Sequence, residues 1–196
     1  MRDRTAPGRP REFDDTEMLR KIMRLFWKNG FEGVSLSQIM KETELQKASL
    51  YAAFGDKRSM YLKALGQYHE DTVSAAARAL REDSLPARQR IENFVNAPLS
   101  AAQQNDRSGC FLCNASADQS DLDPATKAQV SAGFELLASA LATALQDLDR
   151  DLSEEEVVAK ANLLLASYVG LRILVRSGVA IEGLELAASQ AVQSVM

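Results

Sequence analysis

A single histidine and two cysteines in 196 residues leave little material for metal or redox chemistry. Tetrahedral zinc takes four protein ligands, or three and a water. His69 stands far along the chain from Cys110 and Cys113, so no metal site is expected. A copper(I) site on two thiolates is chemically allowed, but no further ligand supports it. There is no glycine-rich phosphate loop, no nucleophile elbow and no segment of strand period. Those absences argue against nucleotide-dependent enzymes, α/β-hydrolases and thioredoxin-like oxidoreductases. No catalytic residue and no cofactor is expected. No run approaches the roughly 18 consecutive apolar residues that span a bilayer, and the basic residues 1–11 have no apolar segment behind them. The expectation is a cytoplasmic protein without a membrane partner.

What is present is an apolar fraction of 46%, enough for a buried core, and a lopsided charge. The chain as a whole carries −4. Residues 1–60 hold 12 Lys/Arg against 9 Asp/Glu, a net of +3, whereas residues 61–196 hold 11 against 18, a net of −7. Arg2, Arg4, Arg9 and Arg11 crowd the start. Affinity for a phosphate backbone depends on where cations lie, because each contact releases a local counterion. The N-terminal third therefore suits nucleic acid better than the net charge suggests.

Helical punctuation continues along the chain. Asp14 or Asp15 caps a first helix through Met18, Ile22, Leu25 and Phe26, and Gly30 stops it. Ser35 opens a second helix with Gln38 three residues on, the spacing of a capping box. Glu44 and Leu45 fill a turn. A third helix then runs from about Gln46 to Phe54, with Leu50 and Phe54 facing inward. Gly55 ends it, and Asp56 caps a long fourth helix reaching about Glu82. Further helices are expected over about 86–104 (with Pro98 inside), 110–118, from Pro124, from Ser153, and around Ile181 to Val195.

The fold class expected is all-α with about nine helices. Residues 1–55 form an arm and a three-helix helix-turn-helix DNA-binding domain, and residues 56–196 a helical ligand-sensing and dimerisation domain. Val157, Ala161, Leu164, Leu171 and Val175 (with Tyr168 completing the stripe) and Leu184, Ala188 and Ala191 repeat at alternating steps of three and four, the spacing of four-helix bundles. Two such helices from each of two copies would make a dimer interface. The same periodicity also suits the chain's own core.

The segments Gly8–Arg11 (GRPR), FWKNGFEG ending the first helix, SLSQI from Ser35 and SLYAAFGDK from Ser49 resemble the TetR family of bacterial one-component transcription regulators. Members usually show Y-x-x-F-x-[DS]-K at the end of the recognition helix, matched here by Tyr51, Phe54, Asp56 and Lys57. The likeness implies a homodimeric repressor on a near-palindromic double-stranded DNA operator. It also implies release by an unidentified small-molecule inducer, or by an oxidant or electrophile, at the C-terminal domain. Ser35, Ser37, Tyr51 and Lys57 then correspond to phosphate contacts. Gln46, Lys47, Ala48 and Ser49 face base edges, and Arg9 and Arg11 reach a neighbouring minor groove.

Cys110 and Cys113 lie three apart, one face of a helix start, where the dipole and nearby Arg107 favour thiolate. Cα atoms at that spacing sit about 5 Å apart, within disulfide reach, so a sensor pair is one reading and two packed small hydrophobes the other. A helical redox protein or protein-binding adaptor built on this pair is the alternative to a DNA regulator. A ligand pocket between C-terminal helices draws on His69, Phe94, Phe111, Phe134, Tyr168 and Arg172. Arg172 interrupts an apolar stripe and needs a partner, for which an anionic ligand, an intersubunit ion pair or solvent would serve.

Overall fold

Asp14 Oδ1 accepts a hydrogen bond from the Thr16 N–H at 2.8 Å and so starts α1 (Asp15–Asn29). Gly30 ends that helix at φ 72°, a left-handed conformation that glycine adopts without strain. The computed structural model describes residues 14–118 and 123–196, and these form nine helices and no strand. Arg9 and Arg11, with the rest of the basic arm, lie outside the described residues.

α2 (Leu36–Thr43) begins in the capping box read from the sequence. Ser35 accepts from the Gln38 N–H, and Gln38 Oε1 accepts from the Ser35 N–H at 2.7 Å. Glu44, at φ 60°, turns the chain into α3 (Lys47–Phe54). α4 covers 57–81 as three continuous pieces: Lys57–Tyr68, a π-helical turn His69–Val73, and Ser74–Arg81. The apolar period gives no sign of that extra-wide turn, which shifts the facing of every residue after it.

α5 (Ala87–Gln103) accommodates Pro98 in its interior, and α6 (Phe111–Asp118) is short. α7 (Pro124–Leu148) starts with proline at its first position and Asp123 as its cap. α8 (Glu154–Arg176) opens in a second capping box, Ser153 with Glu156. α9 (Ile181–Gln193) closes the fold.

One core runs through all nine helices. Ile22, Phe26, Val34, Ile39, Leu50 and Phe54 hold α1, α2 and α3 together, and Tyr61 of α4 seats α1 against the rest. α7 lies along α8, while α5 packs on both α8 and α9.

This packing corrects the dimer assignment made from periodicity. Val157, Ala161, Leu164, Leu171, Val175, Leu184 and Ala188 are buried within the single chain, and Ala191 is half-buried. The regular stripe fills the protomer's own core. The apolar residues left outside are Val158, Leu163, Ile173 and Leu174 on α8 and Leu186 on α9. They also explain a second departure from the sequence reading. α7 and α8 are long and apolar enough by composition to cross a membrane, although no unbroken apolar run marks them. α7 spends its apolar residues on the core; α8 is apolar on an outer face as well.

Arg90 is the buried charge of the bundle. It donates to the Leu80 carbonyl and to Asp147 at 2.9 Å, and its side chain is 4% exposed against 44% for Asp147. Removing the carboxylate leaves a buried guanidinium without its counter-charge, which costs more than the pair itself contributes. Asp147→Ala is expected to lower unfolding free energy by about 2–3 kcal/mol in urea titration. The double change Arg90→Met/Asp147→Ala should recover most of that loss, because no charge is then left unpaired.

Candidate nucleic-acid interface and regulatory site

α3 is held by Leu50 and Phe54, both buried, and this fixes which side faces out. Gln46, Lys47, Ala48, Ser49 and Tyr51 are all exposed on that outer side. Gln46 is the N-cap but its side chain makes no capping hydrogen bond, leaving first-turn amides open to an anion. Lys47 Nζ lies 5.9 Å from the Tyr51 ring centroid, so cation and phenol sit together one turn apart. Ser35 and Ser37 are exposed at the start of α2, their hydroxyls 2.9 Å apart. Lys57 is half-buried at the first position of α4, its ammonium 4.5 Å over the Phe31 ring. The outer faces of α2 and α3 thus join hydroxyls, cations and open amides in the arrangement of a helix-turn-helix.

Behind this face runs a chain of aromatic contacts. Phe26 meets Tyr61 edge-on at 5.1 Å, Tyr61 meets Phe111 at 5.6 Å, Phe111 meets Tyr68 at 5.7 Å, and Trp27 meets Tyr68 at 4.9 Å. Tyr68 leads to the cysteines, its hydroxyl donating to Cys110 Sγ at 3.6 Å.

Cys110 and Cys113 are both buried free thiols. Cys110 immediately precedes α6, with the Asn114 N–H bonded to its carbonyl. The Cys113 thiol donates to Cys110 Sγ, and the Cys113 backbone N–H, the Tyr68 hydroxyl and the Arg172 charge add to it. Against burial, these donors hold Cys110 below the ordinary thiol range. Cys113 is pushed the other way, first by donating a hydrogen bond to Cys110 and then by burial. The two thiols are therefore pushed in opposite directions, Cys110 toward the thiolate and Cys113 toward the thiol. The supporting cation is Arg172; Arg107, expected in that role from its place in the sequence, donates instead to the Val175 carbonyl at 3.2 Å.

Polar contacts tie this cysteine loop to α1. Asn114 donates to the Trp27 carbonyl at 3.0 Å and to the Ser108 carbonyl at 3.2 Å. Arg176, at the end of α8, donates to Ser108 at 2.6 Å and to Lys28 at 3.3 Å. Asn114, Arg176, Tyr68 and Trp27 escaped the sequence reading, because their partners stand tens of residues away and no spacing rule connects them.

A cavity of about 250 Å³ opens between α4, α5 and α8. Of the six residues proposed from sequence to line a pocket, it gathers Phe94, Tyr168 and Arg172. Phe111 is buried among Tyr61 and Tyr68 instead. His69 is half-buried with Nδ1 3.4 Å from Ser74 Oγ, and Phe134 is half-buried against the core; neither lines this cavity.

By fold and surface, the chain is a helix-turn-helix module carried on a helical body. Residues 18–64 match the family model described as bacterial regulatory proteins, tetR family, a match that runs past Gly55 into α4. Over that segment the chain is similar to the TetR family. It is 29% identical over 107 residues to the HTH-type transcriptional repressor BdcR of Escherichia coli, covering 55% of this chain and 54% of that one. Matches to three such curated relatives span 51% to 60% of their lengths.

Among solved structures, a cysteine mutant of the TetR family regulator CifR, complexed with 26bp double-strand operator DNA, superposes with a TM-score of 0.78. It is 24% identical, over 95% of this chain and 99% of that one. The reduced form of Escherichia coli NemR gives a TM-score of 0.77 at 24% identity, over 91% and 95%. These likenesses establish the fold of the C-terminal helices, which the family model does not reach.

Proposed function

We propose that the chain is a homodimeric transcriptional repressor that binds a near-palindromic operator in the cytoplasm and leaves it when its C-terminal domain receives a chemical signal. The observation that carries this reading is the face of α3, where Leu50 and Phe54 are buried and Gln46 to Ser49 and Tyr51 are exposed. In a major groove, Lys47 reads guanine, Gln46 adenine and Ala48 a thymine methyl. Ser35, Ser37, Tyr51 and Lys57 hold phosphates, and Arg9 and Arg11 add minor-groove contacts. The repressor names among the curated relatives support the direction of control.

The partner copy sits on the outer face of α8 and α9. Beyond Ile173, Leu174 and Leu186, that face carries Gly170 and Gly183, where an added Cβ would meet open space. Small residues beside exposed apolar ones let two helix pairs approach closely and form a four-helix interface.

Two signals reach the C-terminal domain, a small molecule in the cavity and oxidation at Cys110. A peroxide takes the Cys110 thiolate to a sulfenic acid and releases hydroxide. The Cys113 thiol then displaces water to form a disulfide. Either event shifts the loop that Asn114 and Arg176 fasten to α1, and a preference of about 1–3 kcal/mol between states suffices for control.

Selection of bound fragments from a genomic DNA pool, followed by fluorescence anisotropy on the selected site, tests the central claim. Lys47→Ala and Tyr51→Phe are each expected to weaken binding about tenfold or more. Thermal unfolding should stay unchanged, because both side chains are exposed. Affinity should also fall steeply, by about 10³–10⁵, between 50 and 200 mM salt if six to ten phosphates are contacted. Operator affinity that ignores both substitutions and salt would remove α3 as the reading element.

A further inference from the structure

We infer that the cavity between α4, α5 and α8 binds a small aromatic carboxylate, with its ring against the Phe94–Tyr168 stack and its carboxylate on Arg172. This builds on the reading that a small molecule is one of the signals, and it names that molecule's chemical class.

The argument starts from the charges around the cavity. Two arginines line it. Arg90 is already committed to Leu80 and Asp147. Arg172 donates only to the Tyr168 hydroxyl, at 3.0 Å, and no carboxylate among the described residues pairs with it. Its guanidinium lies 5.1 Å from the Tyr168 ring centroid, which orients the planar group; its charge also favours the Cys110 thiolate, but no hydrogen bond runs between them, so its remaining N–H groups are left for a ligand. Guanidinium matches carboxylate through two parallel N–H···O bonds, strongest away from water. The one remaining acid at the cavity is Glu82, which is exposed at the rim. With Arg90 paired to Asp147, one guanidinium without a carboxylate partner inside and an acid at the mouth favour a monoanion over a dianion.

Shape supplies the rest. Phe94 and Tyr168 stack with centroids 4.3 Å apart and planes 23° from parallel, offering a flat aromatic wall. Ala76, Leu80 and Leu85 complete an apolar lining. At about 250 Å³ the cavity is smaller than the roughly 300–1,000 Å³ of drug-sized sites. A single ring fits such a space and a long acyl chain does not.

Calorimetry on the full-length protein without DNA, using sodium benzoate, benzamide and sodium acetate, separates the ring from the charge. Benzoate is expected to bind about 10–100-fold more tightly than either probe. Arg172→Gln should erase its advantage over benzamide. Equal affinity for benzamide, or for acetate, overturns the assignment, and these wild-type comparisons hold whether or not the variant folds. Operator occupancy read in parallel separates the two claims. Benzoate bound with operator retained upholds the ligand class and removes its role as inducer. A neutral compound that releases the operator from a protein blind to benzoate overturns the ligand class and leaves the inducer reading standing.

Discussion

Replacing Ile173 and Leu186 together by aspartate is expected to convert the proposed dimer into a folded monomer and to lower operator affinity by about 10²–10⁴-fold. Leu186 is 72% exposed and Ile173 51% exposed in the single chain, so neither substitution opens a hole in the core. Exposed apolar residues occur singly on every protein. What marks this face is their concentration on two adjacent helices together with two outward glycines.

Four aspartates placed across a two-fold interface meet one another and lose water, which opposes association twice over. Each monomer would keep its helix-turn-helix but bind one half-site. The loss in affinity is the effective concentration that the second contact had supplied. Sedimentation should show a species of one 21.5 kDa chain with native helix content. A variant that stays dimeric would place the interface elsewhere. A monomer that still holds the operator tightly would remove the paired-motif reading altogether.

Local rules were the legible part of this sequence. The capping box at Ser35/Gln38, the cap at Ser153, the stop at Gly30 and the proline opening α7 each depend on residues within a few positions of one another. Leu50 and Phe54 could be placed inside because α3 is short and its other face is polar or small. α8 offered no such contrast. Leu163 and Leu174 are as apolar as Leu164 and Leu171, so periodicity selected the more regular stripe, which turned out to be core.

Arg172 stood out because it breaks an apolar run. That Cys110 and Tyr68 are its neighbours was not readable, since 62 and 104 positions separate them from it. The π-helical turn at His69–Val73 hid for a related reason: it changes backbone register without requiring a special residue type.

The thiol pair yields the second large effect, and it concerns the shape of a pH profile rather than a speed. Cys110 is almost wholly buried, so alkylation by iodoacetamide should be slow at every pH. Only thiolate reacts, however, and the fraction present follows the thiol's own titration. With Cys113, the Tyr68 hydroxyl and Arg172 all favouring its charged form, Cys110 should reach its plateau rate below the ordinary midpoint of about 8.5. Mass spectrometry of tryptic peptides should find label on Cys110 first, because Cys113 is held protonated.

Cys113→Ala removes the principal donor and should move the midpoint upward. Tyr68→Phe should do the same to a smaller degree, since the Tyr68 hydroxyl ranks behind Cys113 among the groups favouring the thiolate. The same order should hold for peroxide. Cys110→Ser should abolish oxidant-driven release of the operator, while Cys113→Ala stops oxidation at the sulfenic acid. A midpoint at or above that of a free thiol, unmoved by Cys113→Ala, would show that burial outweighs the donors. Both cysteines would then be packing residues, and the cavity would be left as the entry point for a chemical signal.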